Sequence, residues 1–131
     1  MKPHRALIAT ALTSFALGIS ADAILHAQQA RSPRAYVIGE VNVKDPVAFQ
    51  KYSSQVPATL KPFGGEFLVR GGRTVAFEGA PPAQRIVVIG FDSMEKAQAW
   101  YDSPAYSALR PIRQHAAETR NFVVEGVNPT P

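Results

Sequence analysis

The segment Arg85 to Asp92, RIVVIGFD, constrains this chain more than any other. Successive side chains of a strand point to opposite faces, which sends Ile86 and Val88 one way and Val87, Ile89 and Phe91 the other. Both faces are apolar. An antiparallel sheet with one wet face carries polar residues at alternate positions, so this strand belongs to a sheet that must be covered twice. The rest of the sequence has to supply those covers.

Ala35 to Val43 (AYVIGEVNV) is rich in β-branched residues and runs into Lys44-Asp45-Pro46, where Asp45 can cap a helix and Pro46 can occupy its first position. Phe49, Tyr52, Val56 and Leu60 then recur at helical spacing. Pro57 predicts a kink or restart, and Pro62-Phe63-Gly64-Gly65 ends the helix. In Glu66 to Glu78 (EFLVRGGRTVAFE) the apolar residues alternate on both sides of Gly71-Gly72. A tight hairpin at these glycines would insert an extra strand, whereas a glycine bulge would leave one long bent strand with the hairpin at Gly79 to Gln84. The bulge is preferred because a β-α-β-β-α-β order then follows. Ser93 caps a second helix whose inward stripe is Ala97, Trp100 and Tyr101. Ser103-Pro104 repeats the signal, and Ala105, Leu109, Ile112 and Ala116 continue the stripe. Thr119 to Gly126 closes as the last strand.

The expected fold is therefore α+β: a ferredoxin-like βαββαβ antiparallel sheet over residues 35–126, with two helices on one face. Two helices cover only that face. A second copy packed sheet to sheet about a twofold axis is the simplest cover for the other, which predicts a homodimer of the dimeric α+β barrel type. The tails that flank the folded unit, residues 28–34 and 127–131, are too polar to do it.

Those segments set the boundaries. Lys2, His4 and Arg5 precede an uncharged apolar run, Ala6 to Ile19, and small residues follow, which is the pattern of a secretory signal peptide. Cleavage is expected after Ala23 or Ala27, so residues 1–27 are the leader and 28–34 a polar linker; residues 127–131 form a Pro-containing tail. A membrane anchor is the competing reading, but the run is shorter than the roughly 20 residues a bilayer needs and Asp22 interrupts its extension. The expected localisation is exported, periplasmic or extracellular, with membrane contact only through an uncleaved leader.

Hydrophobic residues at 46% and charged residues at 18% are the proportions of a globular chain, and without Lys2, Arg5 and Asp22 the remaining 12 basic and 9 acidic residues leave only +3. The arginines are scattered rather than aligned in a stripe, so nucleic acid is not expected as a partner. There is no cysteine and His115 is the only histidine beyond the leader; neither a metal site nor a cofactor is expected.

Asp45-Pro46, Gly64-Gly65, Arg70-Gly71-Gly72, Glu78-Gly79, the Arg85 strand and Trp100-Tyr101-x-Ser103-Pro104-x-Tyr106 together resemble the family catalogued as domain of unknown function 1330, in the dimeric α+β barrel superfamily. The resemblance covers about 90 residues and implies the same ferredoxin-like dimer. It implies no reaction. Other families of that superfamily include cofactor-independent monooxygenases, isomerases and haem proteins, but transferring their chemistry would rest on fold alone.

The residues themselves suggest three roles. Arg70, Arg73 and Arg85, with Glu78, could converge at one end of the sheet, where a guanidinium held by a carboxylate would bind an anionic ligand, with Arg70 beside Gly71-Gly72 the foremost candidate. Tyr52, Trp100, Tyr101 and Tyr106 could wall a small-molecule pocket between the helices and the sheet or simply fill the core. His115 could ligate haem or transfer a proton, against the plainer reading that it sits at a helix end where a cation is favoured. The leading expectation is an exported homodimer that binds a small aromatic or anionic ligand. A cofactor-independent enzyme, monooxygenase- or isomerase-like, and an envelope protein-interaction module are the alternatives.

Overall fold

The alternation expected of Ala35–Val43 is what orders the sheet: Ala35, Val37 and Val41 are buried under the helices, while Tyr36, Ile38 and Glu40 face away. The computed structural model describes residues 33–128. Along it run β1 (Ala35–Val43), α1 (Pro46–Ser53), α2 (Val56–Leu60), a 3-10 turn (Lys61–Phe63), β2 (Glu66–Arg70), β3 (Arg85–Phe91), α3 (Met94–Asp102), α4 (Pro104–Ala116) and β4 (Ala117–Glu125). The four strands form one sheet in the order β2-β3-β1-β4, every neighbour antiparallel. The leader and its cleavage sites lie outside the described residues, as do the last three residues of the tail.

Each of the two expected helices is divided where the sequence signals it. Asp45 accepts from the Ala48 backbone N–H at 3.0 Å and starts α1; the chain breaks at Ser54-Gln55 and restarts with Pro57 in the first turn of α2. Ser103 is the hinge of the second pair. Its hydroxyl donates to the Trp100 carbonyl at 2.7 Å and accepts from the Tyr106 N–H, so one side chain closes α3 and opens α4.

Two expectations need correction. β2 ends at Arg70 rather than running to Glu78, and neither a glycine bulge nor a hairpin stands at Gly71-Gly72. Gly71 takes φ +71° and donates to the Ile86 carbonyl, the last ladder bond; beyond it the facing segment carries Pro81 and Pro82, which have no N–H to offer, and residues 72–84 form an exposed loop. The register does slip, but between Phe67 and Val69. The second correction concerns α4, whose buried stripe is Tyr106, Leu109, Arg113 and Ala116. Ala105 is exposed and Ile112 only half-buried, because α4 restarts at Pro104 with a phase set by the Ser103 cap rather than by α3.

The core lies between the helices and one sheet face. Trp100 stacks on Tyr106 with ring centroids 4.0 Å apart and on Phe91 at 5.5 Å. Its indole N–H donates to the Thr59 hydroxyl at 3.0 Å, and that hydroxyl in turn donates to the Val56 carbonyl, so the buried polar atoms of this cluster are paired. No loop separates α4 from β4. The Ala116 carbonyl at that junction accepts from both Lys44 and Asp45, pinning the β1–α1 corner to the end of α4.

On the other face Leu68, Val69, Phe122 and Val124 remain 39–47% exposed, beside Ile38, Ile86 and Val88. Ion pairs edge this apolar field: Glu40 takes two bonds from Arg120, at 2.7 and 3.0 Å, and Arg34 holds Glu66 at 2.7 Å.

Candidate functional site

Tyr52 on α1 and Tyr106 on α4 meet hydroxyl to hydroxyl at 2.9 Å inside the core. Burial pushes both phenols above their ordinary pKa, and the nearby Arg113 cation only partly opposes this. They stay protonated across the neutral range and spend their hydroxyls on each other. Trp100, 1% exposed, is a core residue as well.

Arg70 and Arg85 do approach each other, and with Tyr52 they line a hollow of about 40 Å³, too small for an organic ligand. Arg70 donates to the Ser53 carbonyl at 2.8 Å and lies over Phe67, and Arg85 lies over Phe49. A Cβ on Gly71 would fall 2.6 Å from the Arg85 Nη1, so Arg85 fills the space that the glycine leaves. Glu78 stands apart in the exposed loop. His115 is exposed on α4, its Nδ1 2.7 Å from the Pro111 carbonyl. No group of three or more His, Cys, Asp or Glu residues among the described ones could hold a metal ion.

The roomier cavities lie elsewhere, along the cleft between α3, α4 and the β1–β4 side of the sheet. One, about 260 Å³, is mostly apolar and is walled by Val37, Tyr101, Phe122 and Val123, with Gln98 and Asp102 at its rim. A second, about 470 Å³ and polar, is lined by Arg113, Gln114, Glu118 and Thr119. Tyr101 and Asn121 are walls of both. Tyr101 is held in place by Arg110, whose guanidinium lies 4.5 Å from the ring centroid.

Arg113 is the unusual member. It is 5% exposed and is the only charged side chain among the buried described residues. It pairs with no carboxylate among them; with the Asn121 amide turned so that its oxygen faces the guanidinium, Asn121 accepts from Nη1 and donates to the Arg120 carbonyl. The Arg113 Nε and the Thr119 hydroxyl are buried without a partner. The sequence leaves Asn121 the room it needs, because Gly39 stands opposite it on β1 and a Cβ there would lie 2.9 Å from the amide. Arg113, Thr119 and Asn121 were not among the expected site residues. The signal was the spacing Tyr106, Leu109, Arg113, Ala116, which puts a guanidinium on the inward stripe once the phase of α4 is known.

Two antiparallel β-α-β units, interleaved so that β1 and β3 lie at the centre and helices cover one face, define the ferredoxin-like α+β class, and this chain is a protein of that class. Similar solved structures include RPA0582, a protein of unknown function from Rhodopseudomonas palustris, at 16% identity, with 81% of this chain and 94% of that one covered and a TM-score of 0.58. Another is SnoaB, a cofactor-independent oxygenase from Streptomyces nogalater, at 10% identity, 76% and 99% coverage and a TM-score of 0.54. A third, from Bacteroides fragilis, is described as a dimeric protein of unknown function with a ferredoxin-like fold, at 12% identity, 72% and 98% coverage and a TM-score of 0.50. At these identities the likeness is one of fold. No curated protein matches the sequence. The family described as a domain of unknown function, DUF1330, matches residues 34–127, and the chain belongs to it.

Proposed function

We propose that this protein is an exported homodimer that binds a small organic molecule in the cleft between α3, α4 and the β1–β4 edge. The observation that carries the reading is the pair of cavities joined by Tyr101 and Asn121, one apolar and one polar, next to a buried guanidinium. Ligand sites combine an apolar body with a few placed polar groups in this way. The ligand position moves from the Arg70 end, favoured by the sequence, to the Arg113 end, because only the latter has room.

Support for the dimer comes from the apolar outer face of the sheet, and the dimeric Bacteroides fragilis protein shares the fold. Support for export is the leader pattern alone. A binding role is favoured over a catalytic one: neither Tyr52, Tyr106 nor His115 lines the larger cavities. Native mass spectrometry of freshly isolated protein tests the whole reading at once. The expected species is a dimer lacking residues 1–23 or 1–27 and carrying a small adduct that is lost on denaturation. A bare monomer of full mass would overturn it.

A further inference from the structure

We infer that the molecule taken by this cleft is a monocarboxylate with an apolar or aromatic body, its head on Arg113 and its body along Val37, Tyr101 and Val123. This rests on the ligand-binding reading above and adds to it the chemical class and the orientation of the ligand.

A guanidinium is seldom buried unless it is paired, because desolvating a charge carries a penalty comparable with the whole stability of a small domain. Arg113 is buried, and the polar partner it has is the neutral Asn121. The partnerless Arg113 Nε and Thr119 hydroxyl mark the same spot as a polar network that is not complete. An anion arriving in the polar cavity supplies the missing charge, and the planar fork of a guanidinium matches a carboxylate in geometry.

The surroundings narrow the choice of anion. Arg113 is the one cation among the described residues lining the polar cavity, and Glu118 stands on its wall with only an exposed contact to Lys44, at 3.4 Å, to offset it. A single positive charge opposite a carboxylate suits a monoanion and disfavours a doubly charged phosphate. Asp102, at the rim of the apolar cavity, repels an anionic head at that end and so sets the direction. The apolar cavity, about 260 Å³, has room for a single aromatic ring.

The test compares two probes with one body and different heads, trans-cinnamate and trans-cinnamamide, titrated into the full chain and followed by backbone and side-chain amide shifts in NMR. Cinnamate is expected to bind at least about tenfold more tightly, as charge-assisted bonds to a buried guanidinium imply, with shifts clustered at Tyr101, Asn121 and Val123. Arg113→Gln should abolish the preference while leaving cinnamamide binding as it was. Should that variant fail to fold, the unaltered chain still decides: the preference must disappear as the pH falls through the carboxylate range, near pH 4. Equal binding of both probes in the cleft would overturn the carboxylate assignment and leave the cleft reading standing. Shifts with neither probe, or only outside the cleft, would remove both.

Discussion

Tyr52 and Tyr106 show how a single buried contact sets both stability and its dependence on pH. Removing one hydroxyl leaves the other buried and unpaired, so Tyr52→Phe should cost about 1–3 kcal/mol, whereas Tyr52→Phe with Tyr106→Phe should cost much less than the sum of the two single changes. A double-mutant cycle by urea unfolding measures this. The same burial raises both phenol pKa values, so the folded state holds its protons where the unfolded chain, titrating near pH 10, begins to release them. The stability they contribute is therefore complete below about pH 10 and is lost as the pH rises above it, by up to about 1.4 kcal/mol per pH unit for each phenol. Unfolding midpoints at pH 9, 10 and 11 should fall in the unaltered protein and fall less in the doubly substituted one.

At the scale of elements, the joints matter more than the spans. Ser103 terminates α3 and caps α4 with one hydroxyl, and that cap fixes the phase that turns Tyr106 and Arg113 inward. Ser103→Ala should destabilise the domain by about 1–2 kcal/mol, lowering Tm by several degrees in calorimetry, and should weaken any ligand binding that depends on Arg113. An unchanged Tm would show that the joint holds without its cap. The caps at Asp45, Ser93 and Ser103 were all legible in the sequence because a cap is a local device: a short polar side chain one residue ahead of the helix. The end of β2 was not. The alternation of Thr74 to Glu78 looks like strand, but these residues join no ladder of the sheet, and pairing is a property of the sheet and not of the segment.

For the whole molecule, the question is what lies on the outer face of the sheet. Leu68 is 47% exposed on that face, so Leu68→Glu should cost the isolated protomer little while placing a charge within a sheet-to-sheet interface. Sedimentation of the unaltered protein at micromolar concentration should give a dimer, and of the variant a folded monomer. A monomer in both cases would show that the face is left open to water.

The sequence by itself determined the element order, the capped joints and the two apolar faces, since each follows from side-chain period and from residues within a turn of one another. RIVVIGFD is apolar on both faces, and the structure covers one of them with the helical layer that packs through Trp100 and Tyr106 onto Phe91. Only the tertiary structure decided where a ligand could go. Arg70 and Arg85, neighbours on adjacent strands, close on a hollow of about 40 Å³, while Arg113 and Asn121, from different elements, meet beside larger cavities because α4 passes straight into β4 and Gly39 leaves room across the sheet. Cavity volume depends on how far apart packed layers stand, and no local pattern along the chain encodes that distance.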